Sequence, residues 1–293
     1  MKKFFILIMI LALSGCFDAE RRDELDIYTS IYPIEFATRY LYGTNSNVRS
    51  IYPDGIDINE YDLTEKQIEE YSESDLFIFN SLSKEKEYVI PMYLHNRNFQ
   101  IIDVARTIDI IYAQEEIWLD PSNYLKLVKN IKEGLLEIVE SHYLQNEIIE
   151  SHKELRLEIA NLSAQLRKIG QSADNNNLVI ADDTFHFLEK YGFNVISLAD
   201  EENISERVLF DIEELIANNQ LNYIYKNRFL ETNDLVKDLV AKHDLEIVEL
   251  HSLITIMEEE RNNDENYLTI TQENIAKLTK QIRWQSDKYK LKL

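Results

Sequence analysis

The chain has 293 residues, one of which is cysteine, and 45% of its residues are hydrophobic. This hydrophobic content can form a large core in one or two domains, and we expect two. The formal net charge of −22 at pH 7 disfavours nucleic acids as partners, because acidic side chains repel phosphates. A lone cysteine excludes a disulfide framework within the chain.

The N-terminus has the pattern of a secretory signal peptide. Lys2 and Lys3 precede an uninterrupted apolar run over residues 4–13, which is too short to span a bilayer. We therefore predict that residues 1–15 are a signal peptide that is removed on export.

The segment Leu13-Ser14-Gly15-Cys16 resembles the lipobox at which bacterial lipoproteins are acylated and cleaved. The resemblance predicts lipid attachment at Cys16, followed by a polar tether over residues 16–24. The mature chain would then be a membrane-anchored lipoprotein that faces the extracellular space or the periplasm. A plain secretory signal without acylation is the alternative.

Strand-like and helix-like patterns alternate from residue 25 onwards. Short apolar strand patterns lie at residues 25–29, 48–52 and 76–79. Helical patterns lie between them at residues 34–41 and 64–71, and the second begins with the capping-box spacing of Thr64 and Gln67. This alternation predicts α/β layers.

The stretch over residues 122–169 is predicted to be helical throughout. It contains no proline and a single glycine, Gly134, and its apolar residues recur at helical spacing. The charged second half of the stretch predicts a helix that runs along the body of the protein.

After polar residues 171–177 the alternation resumes and continues to the C-terminus. Strand patterns lie at residues 178–181 and 194–198, with a helix between them that ends at Gly192. We predict an α/β fold of two similar α/β lobes, one over residues 25–142 and one over residues 172–293. A long helix over residues 143–171 joins them.

Ordered motifs along nearly the whole chain resemble one known family. The most specific is Trp118-Leu119-Asp120-Pro121, and Thr29-Ser30-Ile31-Tyr32-Pro33 and Pro53-Asp54-Gly55 also match. The chain is identified on these residues as a member of the cluster-9 metal-binding lipoproteins, which deliver zinc or manganese to bacterial ABC importers. The resemblance implies two α/β lobes bridged by a rigid backbone helix (class III architecture), with one divalent metal ion between them.

The resemblance also implies the partners of the protein. These are an ABC permease with its ATPase, and a membrane surface that is reached through the lipid on Cys16. We expect the protein to act as a monomer, with no role for nucleic acid.

The four positions that hold the metal in this family have unusual residues here. Counting from the motifs, Asn59 and Glu116 stand where the family usually has histidine. Asp182 stands where the family has histidine or glutamate, and His251 stands where it normally has an acid. The predicted metal ligands are therefore Asn59, Glu116, Asp182 and His251.

This ligand set offers mostly oxygen donors. Zinc sites favour nitrogen and sulfur ligands, whereas carboxylate and amide oxygens suit harder ions. On ligand chemistry we therefore expect manganese or iron rather than zinc. The alternative is a degenerate family member that has lost metal binding and serves as a surface interaction or adhesion-type protein.

No nucleophile elbow, zinc-protease motif or phosphate-binding loop occurs in the sequence, so we do not expect an enzyme.

Overall fold

The computed structural model describes residues 25–43, 47–108, 116–172 and 175–290, with the backbone alone at residues 172 and 281–290. The predicted signal peptide over residues 1–15, the lipid site at Cys16 and the tether over residues 16–24 lie outside these ranges. Within the described ranges, no helix is both long enough and apolar enough to cross a membrane.

The N-terminal lobe is built on a four-stranded parallel sheet. Its strands follow the order β2-β1-β3-β4, with β1 in the interior of the sheet. The elements in chain order are β1 (Asp26–Thr29), α1 (Tyr32–Tyr42), β2 (Asn47–Ser50), α2 (Glu65–Ser72), β3 (Leu76–Phe79), α3 (Lys86–His95) and β4 (Gln100–Asp103).

Two helices follow where one was predicted. They are α4 (Pro121–Ile138) and α5 (His142–Ser172), so the prediction of unbroken helix over residues 122–169 is wrong at one point. Val139 has an extended ψ of 122°, and its carbonyl accepts a hydrogen bond from the side-chain amide of Gln145 at 2.7 Å. Ser141 then accepts from the Leu144 amide at 3.4 Å, as a helix N-cap does. Local polar side chains therefore replace the helical hydrogen bonds at the break.

The C-terminal lobe repeats the sheet topology of the first. Its four parallel strands follow the order β6-β5-β7-β8. The elements are β5 (Asn177–Ile180), a 3₁₀ helix (Asp183–Tyr191), β6 (Asn194–Ser197), α6 (Glu206–Ala217), β7 (Tyr223–Asn227), α7 (Asp234–His243), β8 (Glu246–Leu250), α8 (Glu258–Asn262) and α9 (Tyr267–Lys290). The predicted fold class, two α/β lobes with a long helix, is confirmed.

The sequence patterns predicted some of the helices and strands and missed others. The capping box of Thr64 and Gln67 is present, since the Thr64 hydroxyl accepts from the Gln67 amide and the Gln67 side chain accepts from the Thr64 amide. Helix α3 and strand β4 were not predicted. Pro91 lies inside α3, where it removes a backbone donor and obscures the helical pattern.

One apolar core extends through both lobes. It includes Phe77 and Trp118 on the N-terminal side and Leu250 and Tyr267 on the C-terminal side. Helix α5 contacts α1 and α4 of the first half and the 3₁₀ helix and α9 of the second. A smaller cluster covers the other face of the second sheet. The two lobes therefore share a buried apolar surface.

Candidate metal centre

A cavity of about 140 Å³ lies between the lobes. The loop over residues 55–59 and Glu116 form its N-terminal wall. Its C-terminal wall is formed by loops that follow β7 and β8. The residues of that wall are Asn227, Phe229, Leu230, Ser252, Ile254 and Thr255. In both lobes the cavity lies beyond the carboxyl ends of parallel strands, where open α/β sheets bind ligands.

Two of the four predicted ligands, Asn59 and Glu116, line this cavity. The amide of Asn59 donates to Asp57 Oδ1 at 2.9 Å, which fixes the loop next to the cavity. Gly55 begins the loop with a φ of +72°, and its amide donates to Thr255 Oγ1 and to the Ile256 carbonyl of the opposite lobe. A Cβ at Gly55 would come within 3.1 Å of the Met257 sulfur, so the loop needs glycine there.

Asp182 lies at the end of β5 but is not among the residues that line the cavity. Its Oδ1 accepts from the Thr184 amide at 3.1 Å, and its Oδ2 accepts from the Asn227 amide at 2.8 Å. The carboxylate therefore caps the 3₁₀ helix and holds the last residue of β7. Asn227, which Asp182 positions, does line the cavity.

His251 is buried behind the cavity wall, with 3% of its surface exposed. Its Nδ1 accepts a hydrogen bond from the Leu253 amide at 2.8 Å, so the ring proton belongs on Nε2, which lies 3.3 Å from Glu260 Oε2. The edge of the ring also meets Phe229. Both ring nitrogens are thus engaged inside the C-terminal lobe.

Two of the four predicted positions therefore line the cavity, and the other two are hydrogen-bonded within the C-terminal lobe. Among the described residues, no group of three or more His, Cys, Asp or Glu side chains is placed to hold a metal ion. The cavity instead combines amide, carboxylate and hydroxyl oxygens from both lobes.

Burial lowers the pKa of His251 to about 4. An unfolded histidine titrates near 6.5, so the unfolded chain binds the proton first as the pH falls. The stabilisation is complete above pH 6.5 and is lost as the pH falls towards 4. We expect this one group to reduce the free energy of unfolding by about 3 kcal/mol across that range.

Urea denaturation of wild type and His251→Asn between pH 7 and pH 4 tests the contribution. Asparagine can still accept from the Leu253 amide but does not titrate, so its curve should fall less steeply. His95→Asn, at an exposed histidine, controls for the substitution. Parallel curves for wild type and His251→Asn would contradict the assignment.

Arg261 of α8 links the C-terminal lobe to the first lobe beside the cavity. Its guanidinium donates to both oxygens of Asp54 at 2.6 and 2.7 Å. It also donates to both oxygens of Glu35, a residue only 3% exposed, at 3.2 and 3.0 Å. We call these three residues the Arg261 clamp.

A second link joins the lobes through the motif tryptophan. The indole Nε1 of Trp118 donates to the Ser252 carbonyl at 2.8 Å, and the Trp118 carbonyl accepts from the Tyr267 hydroxyl at 2.6 Å. Sequence reasoning did not single out Ser252 or Arg261. Ser252 could have been found by its position next to His251, whereas no local pattern distinguishes Arg261.

Comparison with known families shows to which family the chain belongs. The family described as "Zinc-uptake complex component A periplasmic" (ZnuA) matches residues 27–281. This chain belongs to the ZnuA family. The predicted membership of the zinc and manganese substrate-binding lipoproteins is therefore confirmed.

Relatives of this ZnuA-family chain are named for different metals. It is 23% identical to the zinc-binding lipoprotein AdcA of Streptococcus pneumoniae over 95% of the chain, and it spans about 60% of AdcA's length. It is 25% identical to the manganese-binding lipoprotein MntA of Halalkalibacterium halodurans, over 67% of this chain and 69% of MntA.

The fold is also similar to that of a solved structure. The crystal structure of the Zn(II)-bound ZnuA-like domain of S. pneumoniae AdcA matches with a TM-score of 0.71 at 19% identity. The match covers 88% of this chain and 99% of that domain. This likeness establishes the two-lobed architecture. It does not identify the metal, which has to be argued from the residues of the cavity in this chain.

Proposed function

We propose that this ZnuA-family chain is the extracytoplasmic substrate-binding lipoprotein of an ABC importer and captures a divalent cation between its lobes. The cavity lined by Asn59 and Glu116 is the observation that supports this function best. Capture and release need no covalent chemistry. The lipid predicted on Cys16 would hold the receptor on the membrane next to its permease and ATPase.

We propose manganese or ferrous iron, and not zinc, as the cargo. The cavity wall offers oxygen donors, which suit harder ions than the nitrogen and sulfur atoms that zinc prefers. Asn59 and Glu116 would bind the ion directly. His251 would become a ligand only by giving up its present contact with Leu253 or Glu260. Each Asp182 oxygen accepts one hydrogen bond and keeps a second lone pair.

Metal analysis of the purified protein tests the proposal. We expect wild type, equilibrated with equal concentrations of Mn²⁺, Fe²⁺ and Zn²⁺ under anaerobic conditions, to retain one equivalent in total, mostly manganese or iron. Asn59→Ala combined with Glu116→Ala should abolish retention, because two of the proposed ligands are lost. Glu60→Ala, which removes an exposed carboxylate beside the cavity loop, should retain the ion. Unchanged metal content in the double variant would contradict the proposed site.

A second candidate function is supported by the lack of a compact His, Cys, Asp and Glu cluster among the described residues. In this reading the protein keeps the ZnuA-family fold but recognises another molecule at the cell surface. Wild type would then show no thermal shift with any of the three ions. That outcome would exclude the importer role and favour the interaction protein.

A further inference from the structure

Ser252 carries a hydroxyl that is buried and has no hydrogen-bond partner among the described residues. The residue is 1% exposed, and it lines the cavity between the lobes. A buried hydroxyl without a partner loses its hydrogen bonds to water and receives none in return, which destabilises the fold. Such a group calls for an explanation, and a ligand that uses the hydroxyl oxygen is one of the few available.

The backbone that carries this hydroxyl is held from both lobes. Trp118 of the first lobe donates to the Ser252 carbonyl, and the His251 ring accepts from the Leu253 amide. Leu253 has a φ of +61°, a left-handed conformation that is uncommon for a side chain of this kind. Residues 251–253 therefore form a constrained turn, and its central residue contributes to the cavity wall.

The His251 imidazole has a different role in this turn. Nδ1 is occupied by the Leu253 amide and Nε2 faces Glu260, which also accepts from Arg228 at 2.6 Å. Binding a metal through either nitrogen would break one of these contacts and release the turn. The imidazole thus holds the turn through Leu253 and Glu260, and Ser252, which lies between His251 and Leu253, lines the cavity.

Other polar groups of the C-terminal wall are already committed. The Asn227 side chain donates to Thr184 Oγ1 and accepts from the Phe229 amide. Thr255 Oγ1 accepts from the Gly55 amide. Of the three buried side-chain atoms without partners in the described part of the chain, the Ser252 oxygen is the one whose residue lines the cavity.

We propose that the Ser252 hydroxyl oxygen is a ligand of the cation, together with the oxygens of Asn59 and Glu116, and that His251 positions it without binding the ion. The inference rests on the proposed function and specifies its chemistry. A hydroxyl is a neutral oxygen donor like water, so this set selects hard divalent cations. The acid that the family normally has at the position of His251 is thereby replaced by the neighbouring serine.

Calorimetric titration of the metal-free protein with MnCl₂ tests whether Ser252 is a ligand. Ser252→Ala should weaken Mn²⁺ binding by about 10- to 100-fold, the loss typical of removing a group that supports a metal site. Ser30→Ala is the matched control, because its hydroxyl is also buried without a partner but the residue does not line the cavity. Ser30→Ala should bind Mn²⁺ as wild type does.

Two further measurements separate ligation from a structural effect. In the metal-free state both serine variants should melt about 2 to 4 °C higher than wild type, since each loses an unpaired buried hydroxyl. Ser252→Cys should weaken Mn²⁺ binding and strengthen Zn²⁺ binding, because sulfur is a softer donor. A merely structural serine would not invert this preference. His251→Asn keeps an acceptor for the Leu253 amide but loses the contact with Glu260, so it should weaken Mn²⁺ binding less than Ser252→Ala does.

The outcomes distinguish this inference from the function on which it rests. If wild type binds Mn²⁺ and Ser252→Ala binds it as tightly as Ser30→Ala does, Ser252 is not a ligand and the importer role stands. If His251→Asn loses affinity while Ser252→Ala does not, the imidazole is the ligand. Absence of binding by wild type would overturn both.

Discussion

Replacing Arg261 with alanine is expected to lower the free energy of unfolding by about 2 to 4 kcal/mol. The change removes four hydrogen bonds between the lobes and leaves the buried Glu35 carboxylate with Arg39, at 2.8 Å, as its remaining cation. Breaking a buried ion pair from one side is costly because the remaining charge stays out of water. The expected loss lies below the largest known values because Arg261 is itself 37% exposed and Arg39 remains.

Urea denaturation of the metal-free protein measures this effect. Arg261→Lys should fall between wild type and Arg261→Ala, since lysine keeps the charge but cannot bind two carboxylates with a planar fork. Arg207→Ala provides the control, because Arg207 is 89% exposed and its partner Asp211 lies at 4.0 Å. Equal stability of Arg261→Ala and Arg207→Ala would show that the clamp contributes nothing to holding the lobes.

Replacing Trp118 with alanine should lower the free energy of unfolding more than Arg261→Ala does, by about 3 to 5 kcal/mol. A large core side chain is deleted and a cavity remains. Trp118 is 2% exposed and lies in the core shared by both lobes. The alanine variant also loses the indole donor to the Ser252 carbonyl, so the turn over residues 251–253 is released together with the packing.

Trp118→Phe separates the two contributions of the tryptophan. Phenylalanine keeps much of the buried apolar surface but has no indole N–H, so we expect a loss of about 1 to 3 kcal/mol from the unpaired carbonyl. Far-UV circular dichroism during urea denaturation measures both variants. Tyr143→Ala, at a residue that is 72% exposed, should change stability little. A Trp118→Ala variant as stable as Tyr143→Ala would contradict the packing described here.

The sheet architecture was predictable because its signals are local. Apolar strand patterns such as residues 76–79 alternate with helical ones, and Thr64 and Gln67 occur at the spacing that a helix start requires. The break between α4 and α5 was not predictable in this way. It depends on Gln145 reaching back to the Val139 carbonyl, which apolar periodicity does not encode.

The candidate site was only partly predictable for a related reason. Counting from motifs gave Asn59 and Glu116, and both line the cavity. The same counting gave Asp182 and His251, but could not reveal that their polar atoms are engaged by nearby backbone amides. Those contacts depend on backbone angles, such as the positive φ of Leu253, that residue identity does not announce.

Long-range charge pairs are a further kind of information that the sequence hides. Arg261 is one of 31 lysine and arginine residues, and its partner Asp54 lies 207 positions earlier in the chain. Nothing near Arg261 marks it as different from an ordinary surface cation. Only folding brings this guanidinium next to the cavity loop over residues 55–59.

The apolar core that both lobes share limits how an ion could enter or leave. A hinge that swung the lobes apart would expose side chains such as Trp118 and Tyr267 to water, and the free-energy cost would grow with the area uncovered. Exchange of the proposed cation would then depend on short segments that line the cavity, such as the loop over residues 55–59. The residence time of the proposed cation would then reflect how often this loop fluctuates, and the proposed permease could shorten it by moving a few residues.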